Sequence, residues 1–391
     1  MLVRRVFVVV LDGVGMGELP DAAAYGDAGS NTLANLAAAV GGVRLPALER
    51  LGLGCVLPIP GVAPLREPAG CWGRLLERSP GKDSVTGHWE MMGIVLDRPF
   101  PTYPCGFPAP VVAEFERIVG RRALANRPAS GTEIIAEMGD EHVATGNPIL
   151  YTSADSVFQV AAHGDVVPLA QLYQWCEAAR EMLQGEHYVG RVIARPFAGM
   201  TGAYVRTPGR RDYAAQPPPN VIDALAEAGQ PVIGIGKTPE FFDGRGYVEV
   251  RATRNNTDHS AALLDVAHTA GRGFVFANLE DFDMLYGHRN DARGFADALE
   301  RFDGELQRLL EALSDGDLLI LTSDHGNDPT TPSTDHSREH ALLLAFSPGC
   351  GPGTGLGVRA TFADIGATVA EALGVRSHLP GVSFLRSVVR Q

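Results

Sequence analysis

Four of the eleven histidines fall between positions 288 and 340, interleaved with aspartates. The strings are DFDMLYGH (281–288), SDHGN (323–327) and TDHSREH (334–340). Carboxylate and imidazole donors together suit manganese or zinc. Two clusters follow apolar runs and carry both donor types, which points to two ions. Paired ions stabilise the attacking and leaving oxygens in a displacement at phosphorus. Taken singly, the same residues have plainer uses. An aspartate after a strand, such as Asp12 or Asp281, also caps helices and closes turns. His336 and His340, each alone, suit a protein surface. Asp324 and His325 are adjacent donors at a strand end, a pairing that capping does not explain. A further candidate is GKDSVTGHWE (81–90), read as a glycine-bounded polar loop with Thr86 ahead of a glycine and His88. A threonine hydroxyl is a weak nucleophile until an ion coordinates and deprotonates it. The same S-x-T-G pattern also makes an ordinary ST-turn ahead of a helix.

These residues need elements to hold them. Five segments are short apolar runs ending in polar clusters: VFVVVLDG (6–13), PVIGIGK (231–237), GFVFANLEDFD (273–283), DLLILTSDHGN (317–327) and ALLLAFSPG (341–349). Such runs read as strands buried on both faces, as in a parallel sheet. Helical patterns lie at 220–229, 257–270, 292–313 and 363–374. Strands alternating with helices imply a doubly wound α/β domain. Ligands in such sheets sit beyond the carboxyl ends of the strands, where Asp12, Lys237, Asp281, Asp283, Asp324 and His325 fall. Asp283 and His288 stand five apart, too far for one α-helical face, so DMLYGH is expected to be a loop with Gly287 allowing the turn. The middle of the chain differs. PFPTYPCGFPAP (99–110) and PGRRDYAAQPPP (208–219) are stiff, proline-rich joints. No strand-end acid cluster recurs between them. Residues 100–215 are therefore expected to form an inserted domain, with 1–99 and 216–391 as a discontinuous catalytic core.

With 391 residues the chain exceeds the usual ceiling for one core, consistent with two domains. Its 33 basic and 46 acidic residues leave a net charge of −13, which disfavours binding to a phosphate backbone. The five cysteines include no CxxC pair, and an odd number over such a length does not form a disulfide framework. A reducing, cytoplasmic setting is expected. The first apolar run is too short for a signal peptide and ends in Asp12. No segment approaches 18 uncharged apolar residues, so no membrane span is expected.

The strings then become specific. LDGVGMGELPDAAAYGDAGSNTL (11–33), GKDSVTGHWEMMG (81–93), YTSADSVFQVAAHG (151–164), RVIARPFAG (191–199), GIGKTPEFFDGRG (234–246), NLEDFDMLYGHRND (278–291), TSDHGNDPTTPSTDHSREH (322–340) and TFADIGATVAEALG (361–374) resemble the phosphopentomutase family, within the alkaline phosphatase superfamily of metalloenzymes. The resemblance runs through nearly the whole length. It implies an alkaline-phosphatase-like core, with a central, mostly parallel sheet flanked by helices and an inserted α+β cap domain for substrate specificity. It implies two Mn2+ sites, open also to Zn2+ or Co2+: one from Asp12, Asp324 and His325 with Thr86 bridging toward the metals, the other from Asp283, His288 and His336. Thr86 would be the phosphorylated residue. Ser153, Asp155, Arg191 and Ile193 match positions lining a pentose phosphate site, and Lys237 would contact the distal phosphate. Their chemistry agrees: Arg191 offers a bidentate fork, Lys237 a point charge, and Asp155 an acceptor suited to a sugar hydroxyl. The implied substrates are ribose 1-phosphate and ribose 5-phosphate with the 2-deoxyribose pair, and the implied activator is a sugar bisphosphate. Nucleoside salvage is the expected setting.

Overall fold

The run at Arg5–Leu11 forms the middle of a nine-stranded sheet and is buried along its full length. Phe7, Val9 and Leu11 enter one core, while Val6, Val8 and Val10 point to the opposite face and are equally inaccessible. Alternating side chains that are all apolar require cover on both faces. The computed structural model describes residues 3–153, 156–269 and 271–389. Asp155 lies outside them.

Across the sheet the strands run Glu249–Arg251, Val232–Ile235, Gly273–Leu279, Arg5–Leu11, Asp317–Thr322, Glu339–Phe346, Cys71–Leu75 and Gly355–Arg359, with Gly15–Glu18 beside Glu339–Phe346. The first five are mutually parallel. Helices fill the expected gaps. Val221–Glu227 starts with an Asn220–Asp223 capping box. Ala292–Ala312 starts where the Asp291 carboxylate accepts from the Gly294 N–H. Asn256–Thr269 and Ala363–Ala372 complete the set.

One strand departs from expectation. Glu339–Phe346 pairs antiparallel to Asp317–Thr322, with Thr322 opposite Leu343 and Leu319 opposite Phe346. A parallel return needs a crossover, usually a helix. Residues 323–338 contain no helix and fold back on themselves through paired backbone hydrogen bonds between Gly326 and Ser337. The chain must then re-enter the sheet in the opposite sense. Consequently the residues just before Glu339, His336 among them, lie at the edge where the parallel strands end.

Two compact units share the chain: Met1–Arg98 with Pro217–Gln391, and Pro99–Gln216. The second has its own six-stranded mixed sheet, ordered Leu124–Pro128, Ile149–Thr152, Val157–His163, Arg191–Ala198 and Val205–Arg206, with Arg211–Ala214 also on Arg191–Ala198. Helices Ala109–Val119 and Leu169–Met182 pack on one face around Phe115, Phe158 and Trp175. Helix Gly131–Thr145 packs around Ile134, Tyr151 and Phe197. All five cysteines are free. Among the described residues no helix is long and apolar enough to cross a membrane.

Candidate metal centre

Three neighbouring parallel strands deliver the donors. Leu11 pairs with Leu279, and Val10 with Thr322, so Asp12, the 280–283 turn and Asp324 leave the sheet at one level. Gly13 follows with φ +74°, a left-handed conformation that suits glycine. Its N–H donates to Asp324 Oδ1 (3.1 Å) and its carbonyl accepts from the Asn327 N–H (2.9 Å). A Cβ on Gly13 would lie 3.2 Å from both Asp283 and Asn327, so this residue is the crowded point at which three segments meet.

Two donor sets converge there. In one, His288 Nε2 lies 3.2 Å from Asp283 Oδ2, His336 Nε2 lies 3.4 Å from Asp283 Oδ1, and the two imidazole nitrogens are 3.1 Å apart. The His288 Nδ1–H donates to the Thr334 carbonyl, which leaves Nε2 as the donor atom for a metal. In the other, Asp12 Oδ1 and Asp324 Oδ2 each lie 3.4 Å from His325 Nε2. Asp283 belongs with both: its carboxylate groups with His288 and His336, and also with Asp12 and His325.

These residues fit cations. Asp12 Oδ1 and Asp324 Oδ2 are buried with no hydrogen-bond partner, and a buried carboxylate oxygen left that way carries a large desolvation penalty. Carboxylate and imidazole donors suit manganese, zinc or cobalt. Electrostatics agree. Burial, then the charge of Asp324, pushes the Asp12 carboxyl up. Burial also opposes ionisation of Asp283, yet His336 and His288 hold its carboxyl well below the ordinary range. The hydrogen bond to Asp283 raises His288 to about 9. His325 is pushed well up by Asp324 and Asp12 despite its burial. Three close, buried aspartates thus demand positive charge at this point, and divalent ions held by these donors would supply it.

Only the first three residues of GKDSVTGHWE are a loop. Ser84–Met91 is a helix, and Thr86 sits in its first turn, fully buried. Asp83 is the cap: Oδ1 accepts from the Thr86 N–H (3.0 Å) and Oδ2 from its hydroxyl (2.7 Å). Gly87 is tolerated in the helix because a Cβ there would lie 2.3 Å from the Asp324 carbonyl. The same helix brings Ser84 Oγ to 3.1 Å from His325 Nε2 and His88 Nδ1 to 3.3 Å from Asp324 Oδ2. Glu90 locks it from behind by accepting from the backbone N–H groups of Arg78, Ser79 and Phe362 and from the Thr361 hydroxyl.

DMLYGH is not a loop. Phe282–Tyr286 forms a π-helical turn that runs into a 3-10 turn at Gly287–Arg289. A π turn closes i to i+5 bonds, so five-residue spacing brings Asp283 and His288 together. Gly287 has φ −56°, ordinary helical geometry. It is small for a packing reason, since a Cβ would lie 2.5 Å from Asn327 Cγ.

The other expected residues divide between the two units. Lys237 follows Val232–Ile235, with Nζ 3.6 Å from Glu280 Oε2. Ser153, Arg191 and Ile193 belong to the second unit. Ser153 is half-buried after strand Ile149–Thr152. Arg191 opens strand Arg191–Ala198, 3.7 Å from Asp212 Oδ2, and Ile193 is buried opposite Gln159 and Asp212. Several contributors escaped the sequence reading. Asn278 Nδ2 donates to Asp12 Oδ2 (2.8 Å), and Asn327 Nδ2 to Asp283 Oδ1 (2.6 Å). Only Asp83 carried a signal, the three-residue spacing of a helix cap from Thr86.

Residues 238–377 match the Metalloenzyme superfamily, a span that holds Asp283, His288, Asp324, His325 and His336. The phosphopentomutase of Caldanaerobacter subterraneus subsp. tengcongensis is 51% identical over 388 residues, covering 99% of this chain and 98% of that protein. The phosphopentomutase of Anaeromyxobacter sp. strain K is 57% identical over 392 residues, covering 99% and 100%. The chain belongs to the phosphopentomutase family. It is accordingly a phosphomutase of the isomerase class and a metalloenzyme. A solved Pyrococcus horikoshii protein shares the fold, with a TM-score of 0.51 at 16% identity over 97% of this chain and 100% of that one. The architecture is the alkaline-phosphatase-like α/β arrangement, and the donor sets lie at the sheet edge such a fold uses.

Proposed function

We propose that the chain interconverts α-D-ribose 1-phosphate and ribose 5-phosphate, and the 2-deoxyribose pair, through a phosphothreonine at Thr86 and a 1,5-bisphosphate. One observation carries this reading: a buried hydroxyl in the first turn of a helix whose Ser84 and His88 touch His325 and Asp324. Divalent ions at the two donor sets, read as Mn2+ with Zn2+ or Co2+ as substitutes, supply charge that stabilises the transferring phosphoryl group and activates a nearby hydroxyl.

The chain's own residues do the rest. Phosphothreonine at residue 86 gives its phosphoryl group to the C1 hydroxyl of ribose 5-phosphate. The Oγ–P bond breaks, a bond from the sugar oxygen to phosphorus forms, and the hydroxyl proton passes to Thr86 Oγ. Asp83 accepts the restored hydroxyl. The bisphosphate then returns its other phosphoryl group to Thr86, and the proton goes back to the C5 oxygen. A sugar bisphosphate primes chains that have lost their phosphate. The helix N-terminus favours the anionic group. Arg191, Ser153, Asp155 and Ile193 are read as sugar phosphate contacts and Lys237 as a phosphate contact. The second unit is read as the source of substrate specificity. Nucleoside salvage in the cytoplasm is the setting this reaction suits.

The test combines product analysis with intact mass. Ribose 5-phosphate, Mn2+ and a trace of sugar bisphosphate are expected to yield ribose 1-phosphate without matching free phosphate. One phosphate on the chain is expected to map to Thr86, and Thr86→Ala to lose turnover while keeping its fold. Free phosphate as the main product, or mutase activity persisting in folded Thr86→Ala, overturns the reading.

A further inference from the structure

Arg338 lies two residues after His336 in the TDHSREH segment, and no role has been assigned to it so far. Its side chain is 3% exposed, yet it carries a full charge. Every guanidinium nitrogen is used. Nη1 donates to Glu77 Oε2 (2.5 Å) and to the carbonyls of Ser79 (2.9 Å) and Gly81 (2.6 Å). Nη2 donates to the Glu77 carbonyl (3.1 Å) and Asp21 Oδ2 (3.1 Å), and Nε to Asp21 Oδ1 (3.2 Å). The group also lies 5.0 Å from the centre of the Tyr25 ring. Residues 77, 79 and 81 thus present three alternate carbonyls to one guanidinium, and the next segment is Asp83 and the Thr86 helix.

The backbone of the same residue is pinned. The Arg338 N–H donates to Asp27 Oδ2 (2.9 Å), and its carbonyl accepts from the Leu19 N–H (3.0 Å). Asp27 also binds Lys82 Nζ (3.2 Å), which lies 3.4 Å from Asp335 Oδ2. Both flanks of His336 are therefore tied to the 77–82 segment, one through Arg338 and one through Lys82.

We propose that Arg338 is a positioning residue, which fixes the segment leading to Thr86 in register with the donor set containing His336. The inference rests on reading Thr86 as the phosphoryl acceptor. The planar fork is required, because three carbonyls and two carboxylates surround it from different directions. An ammonium is a point charge and serves fewer of them in fixed geometry. A nucleophile displaced by about 1 Å loses rate by roughly a hundredfold while substrate contacts elsewhere persist.

Two variants test it. Arg338→Lys keeps the charge beside Glu77, and the double variant Arg338→Met/Glu77→Gln removes both charges, so that neither leaves an unpaired buried ion. Wild-type chain is measured first for Thr86 phosphorylation by a sugar bisphosphate, read by intact mass. Both variants are expected to keep their metal content and a cooperative thermal transition. Their kcat should fall about tenfold to a hundredfold with KM for ribose 5-phosphate nearly unchanged, and Thr86 phosphorylation should slow by the same factor. Normal phosphorylation rates in either folded variant, or a rise in KM at unchanged kcat, overturn the proposal alone. A wild-type chain that never gains phosphate at Thr86 overturns it together with the function proposed above.

Discussion

Three buried aspartates within reach of three histidines set the character of the centre, and side chains beyond the donors decide how it is aimed. Asn327 donates to one Asp283 oxygen while Asn278 donates to one Asp12 oxygen. Asp12 Oδ1 is left to face His325 Nε2, and Asp283 keeps Oδ2 for His288 while Oδ1 also lies beside His336. Partners of this kind orient a metal ligand, and losing one typically lowers metal affinity by about tenfold to a hundredfold. Asn327→Ala is expected to weaken an ion at the candidate set Asp283, His288 and His336 by that factor, and one at the set containing Asp12 by less. Metal titration with a competing chelator checks this. Equal weakening of both ions, or none, contradicts the role given to the amide.

At the scale of elements, short helical turns do the positioning. The π turn at Phe282–Tyr286 brings Asp283 to His288, and the Ser84–Met91 helix carries Thr86 and touches the opposite donor set. In the second unit, helix Gly131–Thr145 is tied to its neighbouring strand through His142. Its Nδ1–H donates to the Asn147 carbonyl (2.7 Å), and its Nε2 accepts from the His163 N–H (2.8 Å). Only a neutral imidazole can do both, and burial holds its pKa below the ordinary 6.5. Below 6.5 the unfolded chain takes up a proton that the folded chain refuses. Stability is therefore complete above that value and falls as pH drops toward the folded pKa. Urea unfolding from about pH 8 to about pH 5 is expected to show this decline in wild type and a weaker one in His142→Gln. An identical slope in both proteins removes His142 as its source.

At the scale of the molecule, the two units each have their own sheet and core. Every candidate metal donor and Thr86 lie in the first, whereas Ser153, Arg191 and Ile193 lie in the second. If specificity resides in the second unit, its removal should spare metal binding and alter the outcome of transfer. Water would then compete for the phosphothreonine proposed at Thr86, because a transfer site works by excluding it. A chain with residues 99–216 replaced by a short linker is expected to bind metal and to release more free phosphate per ribose 1-phosphate formed than wild type. A ratio as low as that of the intact chain would show that the second unit is not what separates mutase from phosphatase.

Much of the centre was legible without coordinates. An apolar run buried on both faces has few uses outside a parallel sheet, so donors directly after such runs, Asp12, Asp324 and His325, had to share one edge. The chemical types of the donors and of Thr86 are properties of the residues themselves. Tertiary structure decided what depends on direction and close approach. Local apolarity is the same in parallel and antiparallel strands, so the reversal of Glu339–Phe346, which brings in His336, is not written in that segment. Five-residue spacing rules out an α turn but does not distinguish a loop from a π turn, and the packing of Gly287 on Asn327 goes with the π turn found here. The amides of Asn278 and Asn327, and the Arg338 clasp, join residues more than 40 positions apart in sequence. Hydrogen bonds of that range arise only once the sheet has aligned its strands, because no local periodicity encodes them.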